Sequence, residues 1–189
     1  MSSAFPLPPN LPVPTDDGAC AHLTGMRMPA VELVSTKGRV VKLDELRKGR
    51  AIIYCYPMTG VPGKPLPEGW DMIPGARGCT PQSCGFRDHF EELKTLGAEV
   101  FGLSTQTSDY QLEMAQRLQL PFEVLSDAEL KFCKALRLPT FEADGMTLVK
   151  RLTLVIRDGV IEKVFYPVFP PDQSAEQVVR WLREAERRA

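Results

Sequence analysis

The chain has 189 residues, of which 43% are hydrophobic and 25% charged, with a formal net charge of -1. This length suits one domain with a single core, and the composition excludes a disordered, fibrous or coiled-coil class. A near-neutral chain has no general attraction for nucleic acid or for anionic lipid, so neither is expected as a partner.

The N-terminal stretch MSSAFPLPPNLPVPTDDG is rich in proline, with five between positions 6 and 14. Proline fixes φ and removes a backbone donor, so we predict an extended arm over residues 1–22 and one domain over residues 23–189. The stretch lacks the basic start and unbroken apolar run of a signal peptide, and no apolar run in the chain reaches the roughly 20 residues of a membrane-spanning helix. The sequence therefore predicts a cytoplasmic protein without a membrane partner.

The first regular elements are a hairpin at residues 30–43 and a short helical turn at 44–49. The apolar run AIIYCY at 51–56 predicts a strand buried on both faces in the middle of a sheet. Prolines and glycines then crowd residues 58–78, which predicts an inserted loop. Its apolar residues are expected to pack against the rest of the protein; they are Trp70, Met72 and Ile73.

A helix is predicted directly after this loop. Thr80 is suited to the N-cap and Pro81 to the first helical position. An apolar stripe from Phe86 to Leu93 continues the helical pattern, and Gly97 ends it.

Strands and helices alternate through the rest of the chain. Strands are predicted at 98–104 and 122–126, helices at 109–118 and 128–136, a hairpin at 151–168 and a closing amphipathic helix at 174–188. This order predicts an α/β fold with a mixed central sheet covered by helices on both faces.

The stretch GARGCTPQSCGF, residues 75–86, contains two of the five cysteines. An odd number of cysteines without an export signal favours reduced or redox-active thiols over a disulfide framework. A cysteine attacks as the thiolate, and an ordinary thiol with a pKa near 8.5 is only a few per cent ionised at neutral pH. Cys79 lies at the predicted helix start, which favours an anion by only about 0.3–1 kcal/mol, so a nearby arginine is also expected.

The spacing of the two cysteines predicts a conformational change. Helical positions five apart have Cα atoms about 8.7 Å apart, whereas a disulfide needs roughly 4.4–6.8 Å. If Cys84 lies in the first helical stretch, a bridge to Cys79 requires this stretch to unwind. Pro81 and Gly85 weaken the helix there.

Five segments in order resemble the peroxiredoxins, specifically the peroxiredoxin Q or bacterioferritin comigratory protein type; they are YCYP, GCTPQSCGFRDHFEEL, GLST, LPFEVLSD and KRLTLVIRDG. The resemblance extends from Leu23 to the C-terminus. It implies a thioredoxin-like fold and a peroxidase that reduces hydrogen peroxide and organic hydroperoxides through a sulfenic acid and an intramolecular disulfide. It also implies recycling by thioredoxin or a glutaredoxin-like dithiol, no cofactor or metal, and a monomer or homodimer.

The same resemblance implies roles for individual residues. Cys79 corresponds to the peroxidatic cysteine, Cys84 to the resolving cysteine, and Arg151 to the arginine that polarises thiolate and peroxide. Local sequence alone would make Arg151 a surface charge at a strand end.

The chain also departs from the family pattern. Ala76 stands three residues before Cys79, where the family has a threonine that contacts thiolate and peroxide. Thr59 can take that place only if the inserted loop bulges out and returns. Gln82 replaces a common glutamate, and Arg77 is a second candidate cation.

Other interpretations remain open. Cys55 and Cys133 are expected to be inert core residues. Cys20 lies outside any clear element, and its role is left open, with an exposed thiol and an alternative resolving partner among the alternatives. A disulfide oxidoreductase of thioredoxin type would favour a C-x-x-C motif, which is absent. A copper-delivering protein would need imidazole beside the thiolates, and the only histidines are His22 and His89.

Overall fold

The computed structural model describes residues 5–46 and 49–188. The strands in these ranges are β1 Glu32–Ser35, β2 Val40–Lys42, β3 Arg50–Cys55, β4 Ala98–Ser104, β5 Glu123–Ser126, β6 Thr140–Ala143, β7 Met146–Val149, β8 Leu152–Arg157 and β9 Val160–Phe165. The α-helices are α1 Cys79–Asp88, α2 Phe90–Thr95, α3 Ser108–Arg117, α4 Lys131–Leu136 and α5 Ser174–Arg188. Short 3-10 turns lie at Leu43–Glu45, Trp70–Met72 and Pro171–Gln173.

Seven strands form one mixed sheet in the order β2-β1-β5-β4-β3-β8-β9. The strands β3, β4 and β5 run parallel to one another, whereas β8 is antiparallel to β3. The two predicted hairpins are the pairs β1–β2 and β8–β9. The apolar run at 51–56 therefore supplies a central strand, as predicted.

The two faces of β3 contact separate hydrophobic clusters. Ile52 and Tyr54 contact the cluster that holds apolar residues of α1, α2, α3 and α5. Ile53 and Cys55 contact the cluster on the opposite face, which includes α4. The prediction of helices on both faces of a mixed sheet is confirmed.

The helix predicted from Thr80 to Gly97 is wrong in two respects. It begins at Cys79, and the N-cap is Gly78 rather than Thr80. Gly78 has φ of 109°, and a Cβ there would lie 2.3 Å from Pro171 Cγ, so glycine is required. The helix is also interrupted at His89, which separates α1 from α2.

Two other predictions need correction, and one hairpin was not predicted. The helix expected from residue 128 begins only at Lys131, because Leu130 adopts a left-handed φ of 58°. The hairpin β6–β7 was not predicted at all. The helical turn expected at 44–49 corresponds to the 3-10 turn Leu43–Glu45, and residues 47–48 of that prediction lie outside the described residues.

The inserted loop packs against the protein mainly through Trp70. This side chain is 3% exposed, and its ring lies 6.1 Å from that of Phe141 in β6, measured between centroids. Ile73 is partly buried, but Met72 is 75% exposed and does not pack as predicted. A small hydrophobic cluster therefore holds the loop in place.

The described part of the arm, residues 5–22, contains no helix or strand and is anchored near its end. The carboxylate of Asp17 accepts a hydrogen bond from the Tyr166 hydroxyl at 2.9 Å and pairs with Lys150 Nζ at 3.2 Å. The backbone N–H of Ala19, with these two partners, lowers the pKa of Asp17 to about 2.

Among the described residues, no helix has the length and apolar character needed to cross a membrane.

Candidate active site

Cys79 is the first residue of α1 and lies in the wall of a cavity of about 460 Å³. Its side chain is 3% exposed. As a thiol it donates a weak hydrogen bond to the Ala76 carbonyl, with 3.6 Å between sulfur and oxygen. The amide groups at the start of a helix favour negative charge on a sulfur at this position.

The sheet brings Arg151 to Cys79 from a distant part of the chain. Leu152, the first residue of β8, pairs with Cys55, the last residue of β3, so Arg151 lies at the end of the sheet where the chain leaves β3. Arg151 Nη2 lies 3.2 Å from Cys79 Sγ, and the arginine is 3% exposed. A buried guanidinium at this distance stabilises a thiolate relative to a thiol.

The remaining hydrogen bonds of Arg151 fix its orientation. Its guanidinium donates to the carbonyls of residues 75–77 at 3.0–3.2 Å and to the side-chain oxygen of Gln82. The Gln82 amide nitrogen in turn donates to Ser174 Oγ at 3.3 Å. Gln82 thus links Arg151 to the start of α5 through an acceptor and a donor on one side chain.

The structure places Thr59 in the wall of the same cavity as Cys79. Thr59 is 1% exposed, and its hydroxyl has no hydrogen-bond partner among the described residues. The inserted loop lies between β3, which ends at Cys55, and α1, which begins at Cys79. Ala76, at the family's threonine position, is fully buried and offers no hydroxyl.

The backbone around Thr59 is held by α3 and the segment before it. The Thr59 carbonyl accepts from the Tyr110 hydroxyl at 2.7 Å, and its N–H donates to Gln106 Oε1 at 3.3 Å. Arg117 Nη2 donates to the Gly60 carbonyl at 3.2 Å. Sequence reasoning missed these supports because no local pattern around them points to a site.

Cys84 is buried in α1, five residues after Cys79, and all five cysteines are free. Burial raises the pKa of the Cys84 thiol, and the nearby Arg87 opposes part of this effect. In the intact helix the thiolate form of Cys84 is therefore disfavoured.

The other three cysteines lie in the hydrophobic cluster on the opposite face of the sheet. Cys20 is 6% exposed, which excludes the alternative of an exposed thiol, and burial raises its pKa to about 12. Burial likewise raises the pKa of Cys55 and of Cys133. Cys20 and Cys79 therefore belong to hydrophobic clusters on opposite faces of the sheet.

The other candidate polar groups have partners of their own. Arg77 lines the cavity, but its guanidinium pairs with Asp71 at 2.9 Å. His22 bonds the Leu136 carbonyl at 2.8 Å, and the ring of His89 bonds a carboxylate one helical turn away. Within the described ranges, no cluster of three or more histidine, cysteine, aspartate or glutamate side chains is arranged to hold a metal ion.

Comparisons with known proteins identify the family. The redoxin family model matches residues 23–179. The chain is 31% identical over 160 residues to the chloroplastic peroxiredoxin Q of Sedum lineare, covering 84% of this chain and 77% of that protein. The chain belongs to the peroxiredoxins of the Q type. As a peroxiredoxin it is a thiol peroxidase.

Two further relatives agree with this peroxiredoxin assignment. Peroxiredoxin Bcp of Escherichia coli is 29% identical over 160 residues, covering 82% of this chain and 92% of that protein. The crystal structure of peroxidoxin BcpB from Mycobacterium tuberculosis matches with a TM-score of 0.70 and 26% identity, covering 86% of this chain and 98% of that one. The expected thioredoxin-like peroxiredoxin fold is thus confirmed.

Proposed function

We propose that this peroxiredoxin uses Cys79 as the peroxidatic cysteine and Cys84 as the resolving cysteine, in an atypical 2-Cys mechanism. The 3.2 Å contact between Arg151 Nη2 and Cys79 Sγ in the cavity carries this assignment. Three of the other cysteines lie across the sheet, which leaves Cys84 as the thiol on the same helix.

In the first step the Cys79 thiolate attacks the terminal oxygen of a hydroperoxide ROOH. An S–O bond forms with an electron pair from sulfur while the O–O bond breaks, and the departing RO⁻ takes up a proton and leaves as ROH. Cys79 becomes a sulfenic acid, and ROH is water when the substrate is hydrogen peroxide. Arg151 stabilises the negative charge as it moves from sulfur to the departing oxygen.

In the second step the Cys84 sulfur attacks the sulfenic sulfur of Cys79 and displaces water, which forms the disulfide. In α1 the two Cα atoms are about 8.7 Å apart by helical geometry, so the start of the helix must unwind. Unwinding breaks the Gln82 bonds to Arg151 and Ser174. It also exposes Cys84, whose pKa then falls toward its ordinary value as the burial is removed.

The oxidised enzyme needs a reductant to return to the dithiol form. We propose a protein dithiol of the thioredoxin or glutaredoxin type, which supplies two electrons and two protons to the disulfide. The catalytic domain in this proposal is residues 23–189, with the arm 1–22 appended. An intramolecular disulfide works in a monomer or in each chain of a homodimer, and a cytoplasmic location would provide the reducing conditions.

The function is tested by following peroxide loss with the reduced full-length protein, with and without thioredoxin, its reductase and NADPH. One equivalent of hydrogen peroxide should disappear without the reductant and many equivalents with it. A protein that consumes no peroxide under either condition would contradict the proposal.

Thr59 is proposed to donate a hydrogen bond to the thiolate or to the bound peroxide, in place of the family's threonine. Replacing it, Thr59→Val, removes the hydroxyl at constant shape and should lower the second-order rate constant for hydrogen peroxide by about 10- to 100-fold, because hydrogen bonds to charged groups contribute roughly 1.5–3 kcal/mol. Thr59→Ser keeps the hydroxyl and should stay within a few-fold of the wild type. Stopped-flow oxidation of the reduced protein measures both, and equal rate constants for the valine and serine variants would show that the hydroxyl has no role.

A further inference from the structure

The cavity beside Cys79 is much larger than hydrogen peroxide requires. Its volume is about 460 Å³, whereas a water molecule in the liquid occupies about 30 Å³ and hydrogen peroxide is only slightly larger. Pockets that bind organic ligands typically span 300–1,000 Å³. The space next to the sulfur can therefore hold an organic substituent on the peroxide oxygen.

The walls of the cavity come from two segments that surround the cysteine. The inserted loop contributes apolar side chains that include Leu66 and Trp70, and Trp70 is held by its contact with Phe141. The N-terminal arm contributes Phe5, Pro6 and Leu7 to the cavity wall. The cavity also carries the cationic side chains of Lys64, Arg77 and Arg117, so the contacts available to an apolar substituent are those of the arm and the inserted loop.

The arm is fixed against the site at several points. Asp17 is bonded to Tyr166 and Lys150, and Pro14 lies against the inserted loop, 3.7 Å from the position a Cβ on Gly75 would take. At the start of α1, Leu7 Cδ2 lies 3.0 Å from the position that a Cβ on Gly78 would take. Prolines between these contacts restrict the backbone, so little entropy is lost when the arm stays in place.

We propose that Phe5 and Leu7 are specificity-determining residues, which bind the apolar substituent of an organic hydroperoxide while its O–O bond reaches Cys79. The arm lies before the part of the chain that the redoxin family model matches, residues 23–179. This inference rests on the proposed role of Cys79. The reaction itself is unchanged: the terminal oxygen goes to sulfur, and the substituent leaves on the alcohol.

The test is the ratio of second-order rate constants for cumene hydroperoxide and hydrogen peroxide, measured by stopped-flow oxidation of the reduced full-length protein. In the double variant Phe5→Ser/Leu7→Ser this ratio should fall about tenfold, since the loss of a small apolar contact in a pocket already costs at least that much. Val13→Ser is the matched control, because Val13 lies on the same arm, is 64% exposed and does not line the cavity. Its ratio should equal that of the wild type.

Two results would overturn this inference. An unchanged ratio in the double variant would mean that the arm does not contact the substrate, and an increased ratio would mean that the arm excludes bulky peroxides. Both leave the role of Cys79 intact, because the variants still react with hydrogen peroxide. Failure of the proposed function appears differently, as a wild-type protein that reacts with neither peroxide.

Discussion

Cys79→Ser should reduce peroxide consumption to the uncatalysed background, whereas Cys84→Ser should complete one turnover and stop. A serine hydroxyl is not ionised at neutral pH and is a poor nucleophile toward an O–O bond, so the first variant loses the reacting atom. The second variant retains the thiolate and its contact with Arg151 but has no sulfur to displace water from the sulfenic acid. The oxidised form should therefore accumulate as Cys79 sulfenic acid.

Dimedone labelling and intact-mass measurement detect the sulfenic acid in Cys84→Ser. Cys20→Ser is the matched control, since Cys20 lies across the sheet and this variant should cycle like the wild type. Sustained turnover of Cys84→Ser with thioredoxin, at the wild-type rate, would show that another thiol resolves the sulfenic acid. Dimedone adducts on a cysteine other than Cys79 would refute the assignment of the nucleophile.

Replacing Arg151 should impair both catalysis and stability. Arg151→Met removes the buried charge beside the sulfur, and the rate constant for hydrogen peroxide should fall about 10²- to 10³-fold, as when one donor is removed from an oxyanion site. It also removes the donor shared by the carbonyls of Gly75 and Arg77 and the side-chain oxygen of Gln82, whereas the Ala76 carbonyl keeps the weak bond from Cys79. Each unsatisfied buried acceptor costs roughly 1–3 kcal/mol, so the free energy of unfolding should fall by about 3 kcal/mol.

A lysine at position 151 distinguishes the effect of the positive charge from the effect of the guanidinium geometry. Arg151→Lys keeps the positive charge, but an ammonium group cannot reproduce the planar fork that reaches the sulfur, the loop carbonyls and Gln82 together. Its rate constant should lie between those of the wild type and of the methionine variant. Arg157→Met, on the exposed end of the same strand, controls for loss of an arginine. Stopped-flow oxidation and urea unfolding measure the two effects, and wild-type kinetics in Arg151→Met would refute the role of this residue.

Local sequence patterns predicted the elements that carry the site. The apolar run at 51–56 marked the central strand, and the glycines and prolines of 58–78 marked the inserted loop. The N-cap of α1 is misplaced because Thr80-Pro81 is a favourable cap pair in the sequence. The actual N-cap is Gly78, where the close approach of Pro171 requires glycine. Such a contact between distant segments has no local signature.

The pairing of Arg151 with Cys79 could not be derived from periodicity. It depends on the antiparallel register of β8 against β3, which brings together residues 72 positions apart. Only the resemblance to peroxiredoxins indicated it. Resemblance in turn gave no information on Phe5 and Leu7, because the arm lies outside the matched residues.

The most direct test of the proposed mechanism is peptide mapping of the reduced protein after one equivalent of hydrogen peroxide, with free thiols alkylated before digestion. Trypsin cleaves after Arg77 and Arg87, so Cys79 and Cys84 fall on one peptide, GCTPQSCGFR. The mechanism predicts that this peptide is recovered unalkylated and two hydrogen atoms lighter than its dithiol form. A disulfide that joins this peptide to the one carrying Cys20, or to a second copy of itself, would contradict it.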